Sequence, residues 1–470
     1  MPAPTPTLLS TRIATLALST FSALPSKSKP RTHPSGLREW TPLSAIVLAS
    51  SANSDSEILT CVSLATGTKC LPVSSIPKCN GTVLHDCHAE ILALRGFNRW
   101  LLAEIERMLE GRYESKWLGW CESALDFESN HKNSKPFVLR PNVSIHLFST
   151  EAPCGDASMG LLIGSKGEED NEAWPEPAPE TLSLSNSTPL HGRGYFSLLG
   201  TVRRKPSRAD AEPTLSKSCT DKLALKQVTS VLAWPASLFV QRTSNAFLKS
   251  IVLPAEKYDA VGFERAFGPC RFSSGTVSVM GDEPLEAGAM RIHHFDIDIL
   301  PADLDIESLG FAFAKPSTAI PKAKASNISA LWVPSSYPST ISTSASLINE
   351  TLLNGVKQGS RQFSAQDFKT SEVCRRRMWE AGKRVVGLLG RRLGQRTDQG
   401  KDEEEAYVSL VEEVLDAATY GAAKKGEGFD PLDHERRDAK EWAVQVTKGW
   451  VRNKGDEAWG LPRVEDVQCR

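Results

Sequence analysis

The chain has 470 residues, 40% of them hydrophobic, and a formal net charge of −1. That much apolar material supports a sizeable core and argues against wholesale disorder. The neutral balance excludes a protein that holds nucleic acid through one global positive field, so any RNA contact must come from local basic patches.

Taken in chain order, Ser10 to Leu24 reads as an amphipathic helix, with Ile13, Leu16, Leu18, Phe21 and Leu24 available for burial. Met1 to Pro6 lacks the charged-then-apolar order of a secretory signal, so no leader is expected. Ser26 to Gly36 is a polar connector. Ala45 to Ala49 and Leu59 to Leu64 are apolar and β-prone and read as strands, with a loop from Ala65 to Leu84. A long helix is expected from Cys87 to Leu109, where Ile91, Leu94, Phe97, Leu101 and Ile105 recur at helical spacing. Val143 to Phe148 and Lys249 to Leu253 read as strands, and Asp221 to Leu232 as a helix. From Ser371 to about Trp450 helical patterns dominate. Lys166 to Pro189 and Gln395 to Glu404 are polar or charged without periodicity and read as solvated insertions. Alternating strands and helices followed by helices alone imply an α/β core with a helical C-terminal cover. No apolar run of about 18 residues exists, so no membrane span is expected. The ten cysteines have no regular spacing, which suits thiols or metal ligands in a reducing compartment, nucleus or cytoplasm. Nothing in the sequence points to a protein partner.

Two short motifs carry chemistry. In His88-Ala89-Glu90 the histidine opens a helix and can aim a ring nitrogen at a metal, while Glu90 is free to act as acid and base. Pro153-Cys154-Gly155-Asp156 follows an apolar strand and precedes an apolar stretch, a setting that favours a thiolate. Together they match the opening of the zinc deaminase signature, H-x-E then P-C-x-x-C, except that Ala157 stands where the second cysteine belongs. A catalytic zinc takes three protein ligands. The best candidate for the third is Cys219, which stands at the start of the 221–232 helix. Cys270 competes through its own Pro-Cys pair, but Arg271 to Gly275 after it reads as a loop. Cys87 is a weaker competitor on the helix of His88.

Four ordered segments resemble the deaminase domain of the adenosine deaminases that act on RNA. They are Gly67-Thr68-Lys69-Cys70 with Asp86-Cys87-His88-Ala89-Glu90-Ile91, then Pro153 to Asp156, then Ser218-Cys219-Thr220-Asp221-Lys222, then Phe247 to Leu253. The resemblance runs from about Arg12 to Trp450 and divides the chain into an N-terminal helix and connector, 1–40, and a deaminase domain, 41–460. It implies a cytidine-deaminase-like mixed sheet flanked by helices. Arg38 to Leu43, Asp156 to Met159, Arg204 to Asp210 and Gly449 to Asn453 resemble the tRNA-specific branch, which makes inosine at position 37 in the anticodon loop of alanine tRNA. The mechanism so implied is attack of a zinc-bound hydroxide on adenine C6, with Glu90 moving the proton. A double-stranded-RNA editor and a catalytically inactive RNA-binding relative are the alternatives; the retained Glu90 and three ligands argue against the second.

The resemblance also places Thr68 near the target ribose. Arg204, Lys205 and Arg208, with Arg203, form the best basic cluster for phosphates, against the plainer reading of a solvated loop. It further implies a buried inositol hexakisphosphate held by Arg95, Lys222, Arg375, Tyr420, Lys424 and Trp450. Neither Arg95 nor Lys222 has an acid at i±4 to neutralise it. Leu94, Leu225 and His85 depart from the double-stranded-RNA branch, which has arginines at the first two positions and asparagine at the third. Internal carboxylates elsewhere in the fold are the alternative counter-charge.

Overall fold

The structure is a computed structural model that describes residues 6–32, 38–51, 57–111, 113–121, 135–164, 190–192, 195–205, 211–272, 290–316, 323–335, 346–363, 369–394, 401–425, 433–447 and 449–462. The 166–189 insertion and Arg208 lie outside the described residues.

Helix α1 (Leu8–Ser22) begins with a capping box between Thr7 and Ser10. It is followed by β1 (Leu43–Ser50), β2 (Ile58–Thr66), a short hairpin β3 (Thr68–Cys70) and β4 (Asp86–His88), and then α2 (Ala89–Leu109). Next come β5 (Val143–Ser149), α3 (Met159–Gly164), α4 (Cys219–Thr229), β6 (Leu248–Leu253), α5 (Ala260–Phe267) and β7 (Asp296–Ile299). Strands β8 (Ile328–Pro334), β9 (Ser346–Leu353) and β10 (Val356–Lys357) precede helices α6 (Arg375–Leu393), α7 (Lys401–Leu415), α8 (Tyr420–Lys425) and α9 (His434–Val446).

Eight strands form one mixed sheet in the order β7-β6-β5-β1-β2-β8-β9-β10. The β7–β6–β5 edge is parallel and the remaining pairs are antiparallel. All eight residues of β1 are buried, because both sheet faces are covered. Ala45 and Val47 join the cluster under α1, whereas Ile46 and Leu48 join the cluster around α2, as a two-residue strand period requires. Helix α2 is buried along most of its length, packed between the sheet and α6. The C-terminal helices then close over α2 and α4, so the sequence expectation of an α/β core with a helical cover holds.

Three local expectations are corrected. The helix expected from Cys87 starts at Ala89, because Asp86–His88 pairs as a strand with Thr68–Cys70. Residues 269–272, expected in part as loop, form a short helical turn after α5. Of the charged stretch 395–404, expected as loop, residues 395–400 lie outside the described residues and the rest is helical from Lys401.

Candidate metal centre and the cation cluster beside it

His88 is the N-cap of α2, with φ −67° and ψ 143°, so its ring projects from the junction of strand and helix. Its backbone N–H donates to Asp86 Oδ1 at 3.0 Å, and Ala89 N donates to Gly67 O at 3.1 Å. Cys154 follows β5, and Cys219 is the first residue of α4 behind the cap Ser218. Gly155, at φ +114°, lets the two turns meet; a Cβ there would lie 2.3 Å from Ser218 Oγ. Thr220 locks them, its N donating to Cys154 O at 3.0 Å and its hydroxyl to Pro153 O at 3.1 Å.

The fold thus brings the three expected ligands together. His88 Nδ1 lies 3.6 Å from Cys154 Sγ and 3.6 Å from Cys219 Sγ. Tetrahedral zinc, with Zn–S of about 2.3 Å and Zn–N of about 2.0 Å, needs an N···S separation of roughly 3.5 Å, so the donor set fits that ion. A hydrogen bond from the Cys219 thiol pulls the Cys154 thiol well below its ordinary pKa, with Lys205 and His88 assisting. Burial pushes the Cys219 thiol up, so two buried sulfurs beside one imidazole favour a divalent cation between them.

The competing cysteines stand apart. Burial pushes the Cys87 thiol up to about 12, and its strand register pairs it with Lys69. Cys270 is exposed and belongs to no ligand cluster among the described residues. A second cluster, Cys79, His85 and Asp456, is a salt-bridge hub: Asp456 Oδ2 takes His85 Nε2 at 3.0 Å and Arg375 Nη1 at 3.1 Å, and burial pushes Cys79 up to about 12.

Two polar atoms beside the ligands have no partner. Glu90 Oε2 is buried without a hydrogen bond, and burial, with Cys154 next, raises this carboxyl above its ordinary range. Thr68 sits directly across the hairpin from His88, and its hydroxyl is also buried and unpartnered.

Lys205 departs from its expected role. It is buried, and its ammonium donates to Asp86 at 3.0 and 3.2 Å and to Cys219 Sγ at 3.2 Å, which removes it from any phosphate backbone. Arg203 is also buried, holding the carbonyls of Gly192, Tyr195 and Leu198. Arg204 keeps partial exposure on the same two-residue strand. Asp86, which sequence reasoning passed over although it adjoins the His88 motif, also accepts from Lys222. Burial opposes its ionisation, but Lys205 and Lys222 together hold it well below the usual carboxylate range.

Past Lys222 the charges change character. Lys217 sits over the Trp450 ring at 5.3 Å, and burial followed by Lys222 and Lys440 pulls it down to about 7. Lys424 falls to about 7 through burial, then Arg375 and Arg436. Lys440 falls to about 7 through burial, then Lys424 and Arg436. Lys226 is driven well down by burial, then Arg436 and Lys440. Arg95 donates to Val373 O and is lowered by burial. Tyr420 stacks on Trp459 at 5.0 Å, with the Arg375 guanidinium 5.2 Å from its ring. The six residues named from the sequence are therefore joined by Lys217, Lys226, Arg436 and Lys440, which it did not single out. Lys226, Lys424 and Lys440 have no carboxylate within ion-pair distance among the described residues.

Residues 63–426 match the model of the adenosine-deaminase (editase) domain. The chain is 34% identical over 448 residues to tRNA-specific adenosine deaminase 1 of Schizosaccharomyces pombe, covering 95% of each chain. It is 38% identical over 250 residues to the Saccharomyces cerevisiae protein of that name, covering 52% of this chain and 58% of the relative. Similarity to the double-stranded RNA-specific editase Adar of Drosophila melanogaster is 27% over 211 residues, 43% of this chain and 28% of the relative.

Proposed function

This chain belongs to the adenosine-deaminase (editase) domain family, and from that premise we propose that it hydrolyses adenosine to inosine in tRNA, at position 37 of the alanine tRNA anticodon loop. The observation that carries the reading is the triad itself: one imidazole nitrogen 3.6 Å from each of two thiols, with a buried, unpartnered carboxylate oxygen on Glu90 at the next turn of chain. His88, Cys154 and Cys219 would hold zinc, which when bound supplies a water of lowered pKa at neutral pH. Glu90 would take a proton from the attacking water and deliver it to the purine ring nitrogen as the base is hydrated at C6. It then assists as the C6–N bond breaks and ammonia leaves. Its raised pKa suits a group that must both accept and return a proton. The buried, unpartnered Thr68 hydroxyl would take a ribose hydroxyl, and the partly exposed Arg204 a phosphate. An anticodon-loop adenosine is already unstacked in part, so extrusion costs little compared with a duplex target.

The cation cluster supports inositol hexakisphosphate as a second resident group, held by Arg95, Lys222, Arg375, Tyr420, Lys424 and Trp450. A polyphosphate answers the repulsion among lysines that have no acidic partners. Free cysteines throughout the described residues suit a nuclear or cytoplasmic setting. Inosine should form on purified alanine tRNA and vanish when adenosine 37 is replaced by guanosine. Preferential deamination of duplex RNA instead would assign the chain to the other branch of the family.

A further inference from the structure

Each cysteine turn carries an aspartate two residues on, Asp156 after Cys154 and Asp221 after Cys219. Both carboxylates are buried, and both are met by an arginine from one short stretch, α5 and the helical turn after it. Arg265 Nε donates to Asp156 Oδ2 at 2.7 Å, and its Nη2 to Asp156 O at 3.1 Å. Arg271 Nη2 donates to Asp221 Oδ1, while its Nη1 donates to Gly200 O at 2.8 Å. Gly200 N closes the circuit by donating to Asp156 Oδ1 at 3.0 Å. Three residues further along, Arg203 N donates to Asp221 Oδ2 at 3.0 Å.

One network therefore joins the two ligand turns to each other and to the loop that leads into Arg203, Arg204 and Lys205. Its inner pair is almost fully dry, with side-chain exposures of 3% for Arg271 and 1% for Asp221. A buried ion pair is weak evidence for stability as such, because desolvation offsets the attraction. Its distinctive property is geometry. A planar guanidinium presents several N–H groups in a fixed fork, so Arg271 can bind Asp221 and Gly200 at once.

We propose that Arg265 and Arg271 are positioning residues that fix the spacing of the two zinc-binding turns and couple it to the Gly200–Lys205 loop. Docking of RNA at the partly exposed Arg204 of that loop and the geometry of the thiolates are thereby set together. The proposal rests on the reading of His88, Cys154 and Cys219 as zinc ligands.

The test uses the full chain, wild type against Arg271→Lys and Arg271→Met, with three readouts. These are zinc content, the visible spectrum and chelator-driven metal release of the cobalt-substituted protein, and the split between KM and kcat on tRNA. Arg271→Lys keeps a charge for Asp221 but lacks the second arm. It should hold metal with near wild-type release and spectrum, and raise KM about tenfold, the worth of one buried hydrogen bond. Arg271→Met should also shift the cobalt spectrum and speed metal release at least about tenfold. Should Arg271→Met fail to fold, the lysine variant decides alone through its KM. A wild-type KM in Arg271→Lys overturns the coupling, and unchanged metal release in a folded Arg271→Met overturns the positioning of the turns. A wild-type protein that takes up neither zinc nor cobalt removes the site reading and this proposal together, whereas metal-replete wild type beside inert variants removes only this proposal.

Discussion

Around the cysteines three buried aspartates each have a cation within reach: Asp86 lies between Lys205 and Lys222, Asp156 faces Arg265, and Asp221 faces Arg271. One helical turn past Lys222 the rule lapses. Lys226 and Lys440 face each other, Lys424 and Arg436, and Lys424 faces Arg375, Arg436 and Arg95. The chain has 56 acidic and 55 basic residues, so this is no shortage of acids. The contrast teaches that a neutral chain does not imply neutral neighbourhoods. The first region pairs its aspartates with cations supplied by the fold, whereas the lysines of the second have no carboxylate within ion-pair distance among the described residues.

The sharpest way to break the comparison is at the thiols. Cys219→Ala should abolish both zinc binding and deamination, while Cys270→Ala leaves both near wild type; elemental analysis and an inosine assay check this. Full zinc in Cys219→Ala would show that the self-contained region has another ligand set. Glu90→Ala comes next. It should retain zinc and tRNA affinity and lose about 10²- to 10⁴-fold in kcat, the range of a general acid–base group, measured by single-turnover deamination.

The second region is tested by removing its expected guest. Denatured wild-type protein should release a highly phosphorylated inositol in roughly one-to-one ratio, seen by phosphate analysis. Protein stripped of it should show a diagnostic pH response. Lys217, Lys424 and Lys440 titrate near 7 when folded, against an ordinary 10.5. Between those values the unfolded chain binds more protons, so stability must rise with pH from about 7 to about 10 and is lowest below 7. Tm should climb by a few degrees across that window, and added inositol hexakisphosphate should flatten the slope by keeping the lysines protonated. A flat profile in stripped protein would mean that carboxylates neutralise the cluster after all.

The smallest effect is expected at the hairpin. Thr68→Val removes an unpartnered hydroxyl at nearly constant volume, so folding should be unaffected. KM for tRNA should rise by roughly 3- to 10-fold, with less effect on kcat.

What could be read in advance follows the same divide. The candidate ligands sit in short motifs, so local structure was enough to propose His88 and Cys154 and to favour Cys219 over Cys270 and Cys87, and the fold brings those three side chains together; the strands at 45–49, 59–64 and 143–148 are legible as apolar β-prone runs. Strands β8 and β9 went unassigned, although Ala330-Leu331-Trp332-Val333 carries a strand signal, because masking by flanking Ser and Pro weakens the pattern. Lys205 misled because a lysine beside two arginines reads as surface charge, and only the tertiary fold shows Asp86 and Cys219 beneath it. Lys226 and Lys440 were illegible for a related reason. Each is an ordinary helical lysine by sequence, and their convergence is a property of how α4 and α9 pack.

The closing segment adds a constraint in time. Asp456 accepts from Gly81 N at 2.9 Å across 375 residues, and also holds His85 and Arg375, while the Trp459 ring packs onto Gly81. None of these contacts can form until residue 456 has been translated. On the ribosome, the hairpin that presents His88 therefore emerges early and waits for a latch made late. Throughout that interval Cys79, which clusters with His85 and Asp456, lacks that partner, so a nascent chain stalled before residue 456 should be alkylated at Cys79 faster than the full chain.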